Sequence, residues 1–273
     1  PAALPQGKNT KIVNSHELVA VIDGQIVDDG KKISVDPHLV IDTSVDVGTG
    51  NIDFAGSIEI QGDVESGFSV KAAGDIEIKG MVGAADIEGR NVIVHGGIRG
   101  MNTGKIHARE DVSASFVENT NIAAGRDIFV NDVVLHSEMR AGHHVVVEGR
   151  RGFITGGTVS AGESIRAKVF GNSFYVQTNL NVGVDPNLKH QYDTLLKDYE
   201  TASKQLTEIQ RSLEILKKQP LMSLPERRRE QLVKMTHIQF PLANKIKQMQ
   251  EELEGMRNEL EEMKRGSIAA SDI

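Results

Sequence analysis

The chain contains no cysteine and no tryptophan, and its aromatic residues amount to three tyrosines and eight phenylalanines in 273 residues. Without thiols there is no disulfide scaffold and no thiolate metal site, and the sequence fits a reducing compartment. No apolar run reaches the roughly 18 residues of a membrane span, and no charged-then-apolar leader opens the chain. The expectation is a cytoplasmic protein without membrane insertion. The chain opens without Met and closes on Ser271-Asp272-Ile273 inside an apolar/polar alternation, as a piece of a longer protein would.

A net charge of −7 with so few aromatics also argues against nucleic acid as a partner, which calls for a basic face with interleaved aromatics. From Pro186 onward there are 15 Lys/Arg against 14 Asp/Glu, which leaves 16 against 24 in the part before it. The acidity therefore belongs to the first part, where it serves solubility.

What the chain has instead is one short phrase repeated seven times between Gly56 and about Asn179. It reads GSIEIQG (56–62), GDIEIKG (74–80), RNVIVHG (90–96), REDVSAS (109–115), GRDIFVN (125–131), HHVVVEG (143–149) and GESIRAK (162–168). The anchors Ile58, Ile76, Val92, Val112, Ile128, Val145 and Ile165 are separated by 18, 16, 20, 16, 17 and 20 residues. Such a unit is too short for a strand, a helix and a return, but long enough for one coil of two or three short strands. The alternation predicts a β-solenoid over residues 56–184, with coils about 4.8 Å apart and seven of them making a rod of roughly 34 Å. Ile58/Ile76/Val92 and Ile60/Ile78/Val94 should stack as inward ladders, with glycines at the corners. The unequal spacing disfavours the strict hexapeptide left-handed helix.

Ahead of the repeat, residues 1–11 read as a flexible lead-in and residues 12–55 as a short β capping region. Within the cap, Leu18–Ile22 and Gln25–Val27 flank Asp23-Gly24, the turn chemistry of a two-residue hairpin.

After Val184 the apolar period changes from two to alternating steps of three and four. Asp185-Pro186 is a helix start, with Asp as N-cap and Pro in the first helical position. Leu188, Tyr192, Leu195, Tyr199, Ala202, Leu206, Ile209, Leu213 and Leu216 form one heptad seam, ended by Lys217-Lys218 and Pro220. A second helix opens on Ser223-Leu224-Pro225-Glu226, a capping-box spacing. Its seam is Leu232, Met235, Gln239, Leu242, Ile246, Met249, Leu253, Met256, Leu260 and Met263. Residues 185–265 thus predict a long antiparallel α-helical coiled-coil hairpin folded about residue 221, with Pro241 bending the second helix and Met256, Leu260 and Met263 needing another surface. Residues 266–273 are left as a truncated C-terminal segment.

The phrase Thr49-Gly50-Asn51-Ile52-Asp53-Phe54, running into Gly56–Gly62, resembles the start of the solenoid in the flagellar assembly protein A (FapA) family. Gly149-Arg150-Arg151-Gly152-Phe153-Ile154-Thr155-Gly156-Gly157 and the long helical hairpin after the solenoid fit the same family. The resemblance implies a right-handed single-stranded β-solenoid, no established enzymatic activity, and a role in flagellar assembly or placement; no cofactor is expected. It also implies a further N-terminal region and a short β segment after the hairpin.

The residues themselves point to few sites. His95, His107, His136, His143 and His144 invite comparison with solenoid acyltransferases, but no acid partner stands beside them in sequence, and His143 and His144 should point to opposite faces. Asp42, Asp46 and Asp53 are spaced to permit a carboxylate group and read as turn residues. Thr49, Gly50, Asn51 and Asp53 read as a structural corner, as do Gly152, Gly156 and Gly157, since no Lys-Ser/Thr follows them as in a phosphate loop. Arg227, Arg228 and Arg229, positive at a helix start against the dipole, are the candidate protein-contact patch. The expectation is a non-enzymatic scaffold with protein partners, with a homo-oligomer also open. The alternatives are a polymer-forming or division-regulating solenoid and a solenoid enzyme on sugar or acyl substrates.

Overall fold

The computed structural model describes residues 4–14, 16–174, 176–217 and 226–270. The chain forms two compact units, Pro1–Pro186 and Asn187–Ile273.

The first unit is a β-solenoid built on three columns of parallel pairing. One column is an eight-stranded sheet whose first strand is His38–Ile41 and whose last is Ser164–Ala167. All seven anchor residues share one rung line: Ile58, Ile76, Val92, Val112, Ile128, Val145 and Ile165 are register partners in succession. Leu39 precedes them opposite Ile58. A second column links Val45, Val64, Val82 and Ile98 through single bridges and continues through Val117, Val134, Ile154 and Phe170. The third aligns Ile52, Val70, Ile87, Ile106, Ile122, Met139, Val159 and Leu180.

Alternation explains why these residues form one core. The pleat sends every second side chain inward, so Ile76 and Ile78 are fully buried while Glu77 between them faces water. The third column carries a second inward line of small residues, Ala72, Ala108, Ala124, Ala141 and Ala161, all buried. Alanine on that line lets the opposing Ile and Val columns close without a void.

The solenoid begins at His38, not at Gly56 as the repeat predicts, because His38–Ile41 and Ile52–Phe54 already pair in parallel with the next coil. The first coil escapes the pattern because its anchor Leu39 follows Pro37-His38 and not a glycine phrase. What remains as a cap is two antiparallel hairpins: β1 (Thr10–Val13) with β2 (Glu17–Ala20), and β3 (Gln25–Asp28) with β4 (Ile33–Asp36). The predicted hairpin about Asp23-Gly24 is therefore wrong. The reversals fall where Asn14 (φ 53°) and Gly30 (φ 79°) supply the left-handed conformation, whereas Gly24 fits under the Asp36 carbonyl, where a Cβ would collide. Order also starts before residue 12: Gln6 bridges Ile33, and the Gly7 N–H donates to the Ile33 carbonyl at 3.0 Å.

Corner glycines serve two different needs. Gly142 has an ordinary φ, but a Cβ on it would run into the Gly125 carbonyl of the preceding coil. Gly156 and Gly157 have φ of 72° and 81°.

The second unit holds two helices, α1 (Pro186–Lys217, 32 residues) and α2 (Glu226–Ala270, 45 residues). Every predicted seam position from Leu188 to Leu213 and from Leu232 to Met263 is buried or half-buried, and the residues between them are mostly exposed. Helix α2 continues through Pro241 and past residue 265 to Ala270. Tyr192 shares a small cleft with Gln250, Leu253, Glu254 and Arg257. The turn at Lys218–Pro220, the capping box from Ser223 and residues 271–273 lie outside the described residues, as does the Leu216 side chain.

Candidate functional site

The outer face of the eight-stranded sheet gathers most of the chemistry. Its central row, one residue per coil, is Val40, Glu59, Glu77, Ile93, Ser113, Phe129, Val146 and Arg166. Glu59 and Glu77 are register partners, about 4.8 Å apart by coil spacing, an arrangement that repels unless cations intervene. Lys79 bonds both carboxylates, reaching Glu59 Oε1 at 3.5 Å and Glu77 more closely. His38 Nε2 lies 3.4 Å from Glu59 Oε2, and His95 Nε2 lies 2.7 Å from Glu77 Oε1. The hydrogen bond from His38 holds the Glu59 carboxyl below its ordinary value; Lys79 and then His95 do so for Glu77. Glu77 in turn raises the Lys79 ammonium.

His95 has an acid partner in space, and so does His38, which is not among the candidate histidines. The partner stands one coil away, 21 residues for His38 and 18 for His95, a distance at which no local motif shows. His143 and His144 do not diverge either: their rings meet edge to face with centroids 6.2 Å apart, since His143 precedes the strand and the pleat starts only at His144. His144 Nδ1 lies 2.9 Å from Ser164 Oγ and its Nε2 3.5 Å from Glu163.

Beside this row runs a ladder of short polar side chains, each capping the next coil. The Asp75 N–H donates to Ser57 Oγ (3.1 Å), the Asn91 Nδ2 and backbone N–H to Asp75 Oδ1 (2.8 and 3.3 Å) and the Asp111 N–H to Asn91 Oδ1 (3.1 Å). The Asp127 N–H donates to Asp111 Oδ1 (3.1 Å) and the His144 N–H to Asp127 Oδ1 (3.0 Å). Arg90 clamps Asp75 with two bonds, at 2.9 and 2.6 Å, and this keeps its carboxyl low. Between ladder and row lies an open groove of about 520 Å³ with Ile93 and Phe129 in its floor and Asp75, Glu77, Asp111 and Ser113 along it.

Compared with known families, residues 37–273 match the model of the flagellar assembly protein A β-solenoid domain. The chain belongs to the FapA family. The match begins at the residue before the first coil strand, His38–Ile41. No curated protein and no solved structure matches the chain. Family membership makes this a flagellar assembly-related protein. Among the described residues, no helix is long and apolar enough to cross a membrane, and no three His, Cys, Asp or Glu side chains come together as a metal site.

In this FapA solenoid, Thr49, Gly50 and Asn51 build the corner of the first coil. Thr49 Oγ1 donates to the Ser44 carbonyl at 2.9 Å, Gly50 takes φ 74°, and Asn51 Oδ1 accepts the Ser69 N–H at 2.9 Å. Asp53 is exposed and faces Lys71 of the next coil in register. The turn beneath them is tied by Asp46, whose Oδ1 accepts the Gly48 N–H at 2.7 Å; Asp42 is exposed and the two are not brought together with Asp53 in any described contact.

Gly152, Gly156 and Gly157 lie at the other end, also in corners. A Cβ on Gly156 would meet the His136 ring, and one on Gly157 the Ser137 backbone. Their corner continues a stack of hydroxyls: Thr120 Oγ1 accepts the Gly100 N–H (3.0 Å), Ser137 Oγ the Thr120 N–H (3.2 Å) and Thr178 Oγ1 the Gly156 N–H (2.9 Å). Neighbouring Arg151 pairs with Asp132 and lowers its carboxyl. Arg228 is exposed on the first turn of α2; the side chains of Arg227 and Arg229 lie outside the described residues. The cross-coil charge row and the polar ladder are the features that local spacing misses, though the polar residue just before each anchor (Ser57, Asp75, Asn91, Asp111, Asp127, His144, Ser164) was visible as a pattern.

Proposed function

We propose that this FapA-family chain is a non-enzymatic scaffold, acting in the cytoplasm at a cell pole in flagellar assembly or placement through protein contacts. The observation that carries the reading is the state of its polar groups: Glu59 is paired with Lys79 of the next coil and His38 of the one before, Glu77 with Lys79 of its own coil and His95 of the next, Asp75 with Arg90 and Asp132 with Arg151, all in open surroundings. These carboxylates brace the coil stack, and none of the four is a poised acid or base. A right-handed coil fits the strong preference for right-handed crossovers between parallel strands of one sheet. An antiparallel coiled-coil hairpin is supported by the two shielded seams and by the cleft Tyr192 shares with Gln250 and Leu253, since 192 and 250 are equidistant from residue 221. At about 1.5 Å per residue, α1 makes an arm of about 48 Å, with Arg227, Arg228 and Arg229 near its tip as a partner contact.

Cross-linking with mass spectrometry in cells, comparing the full chain with one lacking residues 186–265, tests this. Cross-links to components of the flagellar base that disappear with the arm are expected; a cross-link set without any flagellar component overturns it.

One observation favours a second reading, a solenoid that stacks end to end. The inward residues of the last coil are open, with Phe170 46 %, Leu180 41 % and Val182 53 % exposed, whereas Ile154, Val159 and Ala161 one coil earlier are at 0 %. Concentration-dependent filaments in electron micrographs would support that reading, and their absence at high concentration would count against it.

A further inference from the structure

The central row of the outer sheet face is complementary to itself at its centre and at its ends when reversed. Centred on Ser113, it reads Glu59, Glu77, Ile93, Ser113, Phe129, Val146, Arg166, with a small residue in the middle, a large apolar residue on each side and opposite charges at the ends. Ile93 and Phe129 are 38 % and 41 % exposed, and both, with Ser113, line the groove of about 520 Å³ that runs on past Glu77 to His38. From this we infer that two copies of the chain pair through this face, related by a two-fold axis running along the strands at Ser113.

The register follows from charge. A two-fold along the strands reverses the coil order and keeps the sides of the face. Each Ile93 then meets Phe129 of the second copy, each Glu59 meets Arg166, and each Glu77, already paired with Lys79, meets Val146. On the flanking lines, Lys79 meets Glu148 and Asp75 meets His144. Arg166 and Glu148 make no ion pair among the described residues, so both are available. One like pair arises: the two copies of Asp111 stand beside the axis, each with Arg126 at 3.9 Å.

The alternative two-fold, along the solenoid axis, sets every residue on its own coil and puts Glu59 and Glu77 each against itself. Moving the axis half a coil toward Ile93 places both Glu77 and Glu59 on apolar residues, Phe129 and Val146; moving it half a coil toward Phe129 pairs Glu77 with Arg166 but sets Lys79 on Lys168 and Asp111 on Asp127. The axis at Ser113 sets Ile93 on Phe129 near the centre and opposite charges, Glu59 with Arg166 and Lys79 with Glu148, toward the rim, the usual layout of a specific interface. Such a contact is isologous and closes at two copies, unlike end-to-end stacking, which continues.

The test uses the full chain in analytical ultracentrifugation from about 1 to about 100 µM, the range in which a modest interface shows. A dimer is expected. Phe129→Glu, an exposed position where circular dichroism should stay unchanged, is expected to weaken it by about tenfold or more. Arg166→Glu should weaken it as well, and Glu59→Arg added to Arg166→Glu should restore it. Because the chain has no cysteine, Ser113→Cys supplies a unique thiol, which a short bis-maleimide should couple into covalent dimers; Val40→Cys, four coils from the axis, should not couple. A monomer throughout the range, an assembly indifferent to Phe129→Glu, or coupling at Val40→Cys without coupling at Ser113→Cys each overturns the proposal.

Discussion

Glu59 and Glu77 stand opposite one another in adjacent parallel strands, and Lys79 is bonded to both. A stacked solenoid forces this geometry: any residue kept at one position of successive coils lies on its own kind. Like charges can be placed there only with a counter-ion in the same stack, which Lys79 supplies, while His38 and His95 each meet one of the same carboxylates.

Removing that counter-ion should make stability depend on pH in a defined way. Both carboxyls are held below the ordinary value of 4.5, so their contribution is present above that pH and is lost as pH falls through the lowered values. Lys79→Met is expected to lower the urea midpoint at neutral pH, and the gap to wild type should narrow once the pH is well below 4.5. A gap that stays constant down to acid pH would show that Lys79 acts by packing and not by charge.

Core and surface alternate residue by residue, so adjacent substitutions should differ sharply. Ile128 is fully buried in the anchor rung, and Ile128→Ala should cost about 2–5 kcal/mol in denaturant unfolding. Its neighbour Phe129 points outward, and Phe129→Ala should cost about 1 kcal/mol or less in the same experiment. Equal costs would contradict the register.

The two kinds of glycine predict two kinds of failure. Gly142→Ala drives a methyl group into the Gly125 carbonyl across a coil contact and should cost about 1–3 kcal/mol. Gly30→Ala has open space around it, and only its positive φ resists, so about 1 kcal/mol is expected. Thermal unfolding of the two variants separates them.

The units Pro1–Pro186 and Asn187–Ile273 hold separate cores. Leu206→Asp, in the half-buried seam of α1, should destabilise the helices by about 2 kcal/mol or more and leave the solenoid folded. Circular dichroism would show helix signal lost and β signal kept; loss of both together would mean that the cores are coupled.

Much of the fold was legible because both periods are strong. The anchors from Ile58 to Ile165 pair in the order the repeat predicts, and both helical seams coincide with the shielded residues. The first coil was not legible, since Leu39 and Ile52 lack the glycine phrase that marks later coils. Nor was the second column, where one residue per coil, such as Val64 or Val82, makes a lone bridge with no alternation around it. The charge row stayed hidden for a different reason: His95 and Glu77 are 18 residues apart, and only a fixed coil length turns that separation into contact. His136 takes φ 45° at a corner, a constraint that sequence spacing does not carry.

The most direct test counts flagella and records their position in cells lacking this gene and in cells given it back. The account predicts fewer or misplaced flagella in the deletion, repaired by the full chain and also by chains carrying His38→Ala, His95→Ala or Glu77→Gln, since these side chains brace the coil stack and do not react. Normal flagella in the deletion, or failure of all three substituted chains to repair despite normal protein levels, would contradict it.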